Sequence, residues 1–243
     1  MGLELHEIRA GYGSQHIVFD VSARFESGRV TAIIGPNGAG KSTLIKALFG
    51  QANLFSGRVS LDGRSLEPIN PRALVQAGVV YVPQLLNIFP GLSVRENLEI
   101  GTYVRSGTTY EKVFSLFPDL QGILGRPAGK LSGGQRNMVA VGRALMSNPA
   151  ALLLDEATAG LSPLLAHQVW EYLADLAREG LTVCVVEQNV TAALEHADYV
   201  YLLTSGRVQL EGPAAEVAKN SELQAMFLGS TGTETTTASQ VGV

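Results

Sequence analysis

The stretch GPNGAGKS, residues 35–42, constrains this chain more than any other, because it follows the β-rich run RVTAIIG and opens the helical pattern TLIKALFG. A strand that turns through glycines into a helix brings several backbone N–H groups to one point, and the helix dipole adds partial positive charge there. Gly35, Gly38 and Gly40 permit that turn, Lys41 supplies a cation that can reach outer phosphates, and Ser42 supplies a hydroxyl suited to Mg²⁺. The spacing G-x-x-x-x-G-K-[ST] in a strand–turn–helix context therefore predicts a phosphate-binding loop; a chance glycine turn beside a lysine does not require those flanks.

Such a loop demands a parallel sheet around it, and the rest of the sequence provides one. The runs VFDVSARF, RVTAIIG, GRVSLDG, GVVYVPQ, AALLLDE, LTVCVVE and YVYLLTSGRVQLEG read as strands. Helical patterns separate several of them, and PLLAHQVWEYLADLAREG joins AALLLDE to LTVCVVE. Strand–helix–strand units of this kind predict an α/β fold whose parallel sheet is covered on both faces. Residues 85–147 differ, with no convincing strand, three helical patterns and loop punctuation at Pro90, Gly91, Pro118, Pro127 and Gly129; they read as a helical lobe inserted into the α/β core. The last stretch, GSTGTETTTASQVGV at 229–243, reads as a disordered tail.

With 243 residues, 46% of them hydrophobic, the chain can bury one large core or a core with a smaller lobe. A formal net charge of −4 argues against nucleic acid or an anionic membrane surface as partner. Cys184 is the one cysteine and lies inside an apolar run, so it reads as a buried structural residue, without disulfides or a thiol metal site. No signal peptide is expected at MGLELHEIRAGYG, His6 stands where a myristoylation signal needs Ser or Thr, and no apolar run can span a bilayer. A cytoplasmic protein is expected, which serves any membrane process by docking.

Two further constellations carry chemistry. AALLLDE ends an apolar strand in Asp155 and Glu156. Alternation along a strand sends these side chains to opposite faces, so they are expected to do different jobs: Asp155 holding Mg²⁺ through water and Glu156 orienting or deprotonating an attacking water. Taken alone, they could equally be two acids at a solvated strand end. LSGGQ, 131–135, sets Ser132 and two glycines before the helical RNMVAVGRALM, with no Lys or Arg among its five residues. It can contact a phosphate at a helix N-terminus or be an ordinary N-cap at Ser132; the pentapeptide alone favours the cap.

The order GPNGAGKST, VPQ, LSGGQ, LLLDE resembles the ATPase subunit of ABC transporters over residues 2–228. The resemblance implies a P-loop NTPase core, with a mainly parallel sheet flanked by helices and an antiparallel β portion, plus an inserted α-helical subdomain. It implies a single ABC ATPase domain over 1–228, with a RecA-like core at 1–84 and 148–228 and the helical subdomain at about 85–147. It implies ATP bound by Gly35, Pro36, Asn37, Gly38, Ala39, Gly40, Lys41, Ser42 and Thr43, with Tyr12 stacking on adenine and Ile17 packing nearby. Mg²⁺ would be held by Ser42, Gln84 and, through water, Asp155; Glu156, Gln84 and Lys41 would serve hydrolysis. In this family the LSGGQ stretch closes on the nucleotide of a second, head-to-tail subunit, so Leu131, Ser132, Gly133, Gly134 and Gln135 would contact a partner's ATP, which accounts for the missing base. AGLSP, 159–163, would pass close to that partner, with Ser162 where the family often has Asp.

One departure matters more. In VCVVEQN, Gln188 stands where most of the family has a histidine that contacts the γ-phosphate. Gln can donate an N–H to phosphate but cannot become cationic, so it is expected to keep the contact and lose its titration; the alternative is that His196 substitutes. VEQN with NIFPGLSVRENL, 87–98, is similar to the subgroup that powers uptake of branched-chain and other hydrophobic amino acids, or of urea and short amides. That implies a homo- or heterodimer on the inner face of the plasma membrane, beneath permease subunits fed by a solute-binding protein, with no nucleic acid partner. The residues near 85–106 would take the permease's coupling helix. A soluble single-cassette ATPase of the iron–sulfur assembly type stays open as an alternative, and a non-hydrolysing regulator is disfavoured by Glu156.

Overall fold

The computed structural model describes residues 1–85, 87–103 and 110–223. Its centre is a six-stranded sheet in the order β10-β9-β3-β8-β7-β6, formed by β3 (Val30–Ile34), β6 (Val79–Val82), β7 (Ala151–Asp155), β8 (Thr182–Val186), β9 (Tyr199–Thr204) and β10 (Arg207–Pro213). All neighbours pair in parallel except the β9–β10 hairpin. Every residue of β3, β7 and β8 is buried, as continuous apolar strands covered on both faces must be. Alternation divides them: Leu152, Leu154, Val183 and Val185 pack into one core, while Ala151, Leu153, Cys184 and Val186 pack into another.

The second core is roofed by a four-stranded antiparallel sheet, β2-β1-β4-β5, built from β1 (Gly2–Tyr12), β2 (Gln15–Glu26), β4 (Asn53–Leu61) and β5 (Arg64–Ser65). β1 is absent from the runs expected to be strands. Its ladder shifts register between Leu5 and Ile8 and again beyond Ile8, and Glu7 has a φ of 50°, so buried Leu3, Leu5, Ile8 and Ala10 do not keep one period of two.

The first core lies under α6 (Pro163–Arg178) and a helical region that contains α3 (Val94–Ile100), α4 (Tyr110–Leu116) and α5 (Gly133–Met146). Between residues 85 and 147 the described residues form no strand, and extended pairing there is limited to one bridge, Ser93 to Pro127. Trp170 of α6 and Phe117 are fully buried in this core. Gly142 of α5 lets α3 approach: a Cβ there would lie 2.9 Å from side-chain carbons of Leu98 and Val113. α1 (Lys41–Leu48) follows β3, α2 (Pro71–Ala77) precedes β6, and α7 (Val190–His196) with α8 (Ala214–Val217) covers the far end of the sheet beside β9. The chain thus has a P-loop NTPase fold with an inserted helical portion. The tail expected to be disordered, 229–243, lies outside the described residues.

Candidate nucleotide site

The site assembles where β3, β7 and β8 end. β3 leads into the loop at Gly35, where a φ of 148° and an added Cβ that would lie 2.0 Å from Leu203 O on β9 each call for glycine. Gly40, with a φ of 98°, precedes α1 without a side-chain cap, so the first turn of that helix keeps its amide donors for a ligand. The Lys41 ammonium is buried and donates to Gly35 O (2.8 Å) and Pro36 O (3.0 Å), holding the loop in the shape of a cradle. Burial pushes the Lys41 pKa down, while Glu156, Asp155 and Glu187 pull it up.

The C-terminal hairpin closes the loop from behind. Gly206 N–H donates to Ala39 O (2.9 Å) and Phe19 N–H donates to Gly206 O (2.9 Å). A Cβ at Gly206 would stand 1.9 Å from Ile17 O. Ile17 thus sits beside the loop, and Tyr12, at the end of β1, is partly exposed.

Asp155 is buried at the end of β7 and accepts from Ser42 Oγ (2.9 Å) and from Tyr81 Oη (3.1 Å). The phenol of Tyr81 is held far above its usual pKa by burial and by Asp155. Tyr81 also stacks on Phe49, which fixes its hydroxyl on the carboxylate. Neither residue was among the expected site residues; Tyr81 reads as an ordinary strand aromatic.

Strand alternation does not set the direction of Glu156, because β7 ends at Asp155 and Glu156 has a left-handed φ of 51°. The turn brings both carboxylates within electrostatic reach of Lys41. Glu156 accepts from Gln84 Nε2, which joins the segment after β6 to the segment after β7. Glu187 follows β8, is 3% exposed, and accepts from Thr158 Oγ1 (2.8 Å). It too was missed, although a carboxylate closing the apolar run LTVCVVE is the same signal that exposed Asp155. Gln188 follows it and is exposed at the end of β8, next to β3 in the sheet. His196 lies at the C-terminal end of α7, stacked on Trp170 and 3.4 Å from His167 Nδ1, engaged with α6; this placement gives no support to its substituting for Gln188.

Ser132 is the N-cap of α5. Its hydroxyl accepts from Gln135 N–H (3.3 Å), and Gln135 Oε1 accepts from Ser132 N–H (3.1 Å). The cap leaves Gly133 open to the outside and Gly134 against Leu161, where a Cβ would lie 3.2 Å away. Two segments of chain are tied to this helix by three bonds: Asn137 donates to Ala159 O (2.8 Å), Asn87 donates to Asn137 Oδ1 (2.8 Å), and Arg143 donates to Asn87 O (2.7 Å). Ser162 caps α6 by accepting from Leu165 N–H (3.4 Å), a task an Asp would also perform.

Residues 18–159 match the family model described as ABC transporter. The probable branched-chain amino acid transport ATP-binding protein LivF of Archaeoglobus fulgidus is 40% identical over 92% of this chain and 97% of its own length. The high-affinity branched-chain amino acid transport ATP-binding protein BraG of Pseudomonas aeruginosa is 37% identical over 93% of this chain and 99% of its own length. Among solved structures, a nucleotide-free ATP-binding cassette of an ABC transporter superposes with a TM-score of 0.80 at 31% identity, covering 93% of this chain and 97% of that one. A structure of the ADP conformation of an ATP-binding cassette of an ABC transporter gives 0.78 at 30% identity, covering 94% and 98%. The chain therefore belongs to the ABC transporter family. Within it, the chain is an ATP-binding subunit that hydrolyses ATP.

Proposed function

We propose that this subunit drives uptake of branched-chain or similar hydrophobic amino acids through separate membrane permeases. The observation that carries this reading is near full-length similarity, at 40% and 37% identity, to two ATP-binding proteins named for branched-chain amino acid transport. No helix among the described residues is long and apolar enough to cross a membrane, which is consistent with the permease being another chain on whose cytoplasmic side this one docks.

The site residues support a specific division of labour. The loop from Gly35 to Thr43 wraps the phosphates, with Tyr12 and Ile17 toward the base. Ser42, Asp155 and Gln84 are oxygen donors of the class Mg²⁺ accepts, and Ser42 already lies against Asp155 at 2.9 Å. Bound there, Mg²⁺ would neutralise charge on the outer phosphates. Water attacks the γ-phosphorus, the bond to the ADP oxygen breaks, and the water's proton passes to Glu156, which Gln84 orients; Lys41 offsets the developing charge. Residues 131–135 of a second, head-to-tail subunit complete the site, with Ser132 and Gly134 meeting the γ-phosphate of the partner's ATP. Closing and reopening of that dimer would move the helical lobe against the permease.

Gln188 contacts the γ-phosphate without titrating. The expected result is that Gln188→His adds an ionisation near neutral pH to the ATPase profile that the wild type lacks; superimposable profiles exclude Gln188 from the phosphate.

The transport reading is tested by capturing Glu156→Gln with ATP from detergent-solubilised cells. Co-purification of integral permeases, with or without a sister ATPase, supports an importer, and the companion binding protein reports the solute. Recovery of soluble scaffold proteins alone overturns the transport reading and favours the soluble-ATPase alternative.

A further inference from the structure

A carboxylate as deeply buried as Glu187 must be explained, because burying a charge is costly unless it is paired or fully hydrogen-bonded. Among the described residues no Lys, Arg or His forms an ion pair with it. Its hydrogen-bond partner is a donor instead, Thr158 Oγ1 at 2.8 Å; burial pushes the Glu187 pKa up, and the contacts with the residues after β7 and β8, Thr158 first, oppose that rise. That bond joins the segment that follows β7 to the segment that follows β8.

What they hold is an unfavourable turn. Glu156 has a φ of 51°, a region that non-glycine residues occupy only when surrounding contacts over-determine it. Two consecutive residues of the neighbouring strand end grip it from either side. Glu156 N–H donates to Val186 O (2.8 Å), and two residues further on Thr158 is bonded to Glu187; Ala159 N–H closes the turn on Glu156 O (3.0 Å). Glu187 itself is anchored to β3, its N–H donating to Ile33 O (3.0 Å) just ahead of the phosphate loop.

We infer that Glu187 is a positioning residue, which through Thr158 Oγ1 locks the left-handed turn at Glu156 and fixes Glu156 in register against the phosphate loop. The inference rests on Glu156 being the residue that handles the attacking water. It makes the bond between Glu187 and Thr158 part of the catalytic step and no part of ATP binding.

The test uses the full-length chain with ATP and Mg²⁺, measuring nucleotide affinity and turnover separately. Thr158→Val and Glu187→Leu are expected to lower kcat by about 100-fold, the cost of an ångström-scale misplacement, with the Kd for ATP within about threefold of wild type. Thr158→Ser, which keeps the hydroxyl, is expected to retain most turnover, and Glu187→Gln, which keeps Oε1 as an acceptor, to lose less than Glu187→Leu. The double variant Thr158→Val with Glu187→Leu is expected to be no worse than the poorer single one, since both break the same bond. Should Glu187→Leu fail to fold, the Val and Ser pair at Thr158 carries the test alone. Wild-type kcat in Thr158→Val, or Thr158→Ser as damaged as Thr158→Val, overturns the inference. If Glu156→Gln abolishes turnover while these variants are unaffected, only the role of Glu187 falls; if Glu156→Gln itself turns over normally, the reading beneath it falls first.

Discussion

Glu156→Gln is expected to bind ATP with near wild-type affinity and to lose turnover by at least about 100-fold, the lower range of a general base's contribution. The amide is nearly isosteric with the carboxylate and can still accept from Gln84 Nε2, so the link between the segments after β6 and β7 survives. What disappears is the ability to take a proton from water. Because ATP is bound but not consumed, the ATP-loaded, closed dimer should accumulate, visible as a nucleotide-dependent shift in size-exclusion chromatography. Phosphate release near the wild-type rate would remove Glu156 from the proposed chemistry.

Lys41→Ala is expected to act earlier, on binding. Its ammonium is buried and donates to Gly35 O and Pro36 O, so it is both the proposed phosphate ligand and the brace of the cradle. Removing it leaves the polyphosphate without its nearest cation and the two carbonyls without a donor. Losing a close, buried charge contact of this type costs on the order of 2 kcal/mol or more, so ATP affinity should fall by at least about 30-fold. Loss of the lysine also relieves the cost of burying a charge, which should leave the thermal unfolding midpoint close to that of the wild type. Titration with a fluorescent ATP analogue, beside a melting curve, separates the two effects. Unaltered affinity would place the phosphates elsewhere.

Features set by local backbone chemistry were legible from the residues. The glycine turn between a strand and a helix needs no distant partner to be recognised, and β3, β7 and β8 announce themselves as apolar runs because both faces of the sheet are covered. Ser132 also behaves as its neighbours dictate, forming a capping box with Gln135 three residues on. Three kinds of information were hidden. β1 escaped because register shifts break its alternation. The backbone at Glu156 was hidden because strand periodicity ends one residue before it, in a turn whose φ depends on contacts with β8. Finally, Tyr81 with Asp155, Thr158 with Glu187, and Asn137 with Ala159 are bonded across 74, 29 and 22 positions of chain, and only tertiary folding brings them together.

The brace behind the phosphate loop has a consequence for how the protein is made. The loop itself lies in the first 43 residues, but its left-handed glycine turn is packed against Leu203 O and tied to Gly206, some 160 residues later on the β9–β10 hairpin. A ribosome will therefore have exposed the ATP-binding motif long before the partner that shapes it emerges. Until the hairpin adds itself beside β3, the nascent chain has the residues of a nucleotide site without its geometry, so ATP should be captured only by chains synthesised past the hairpin.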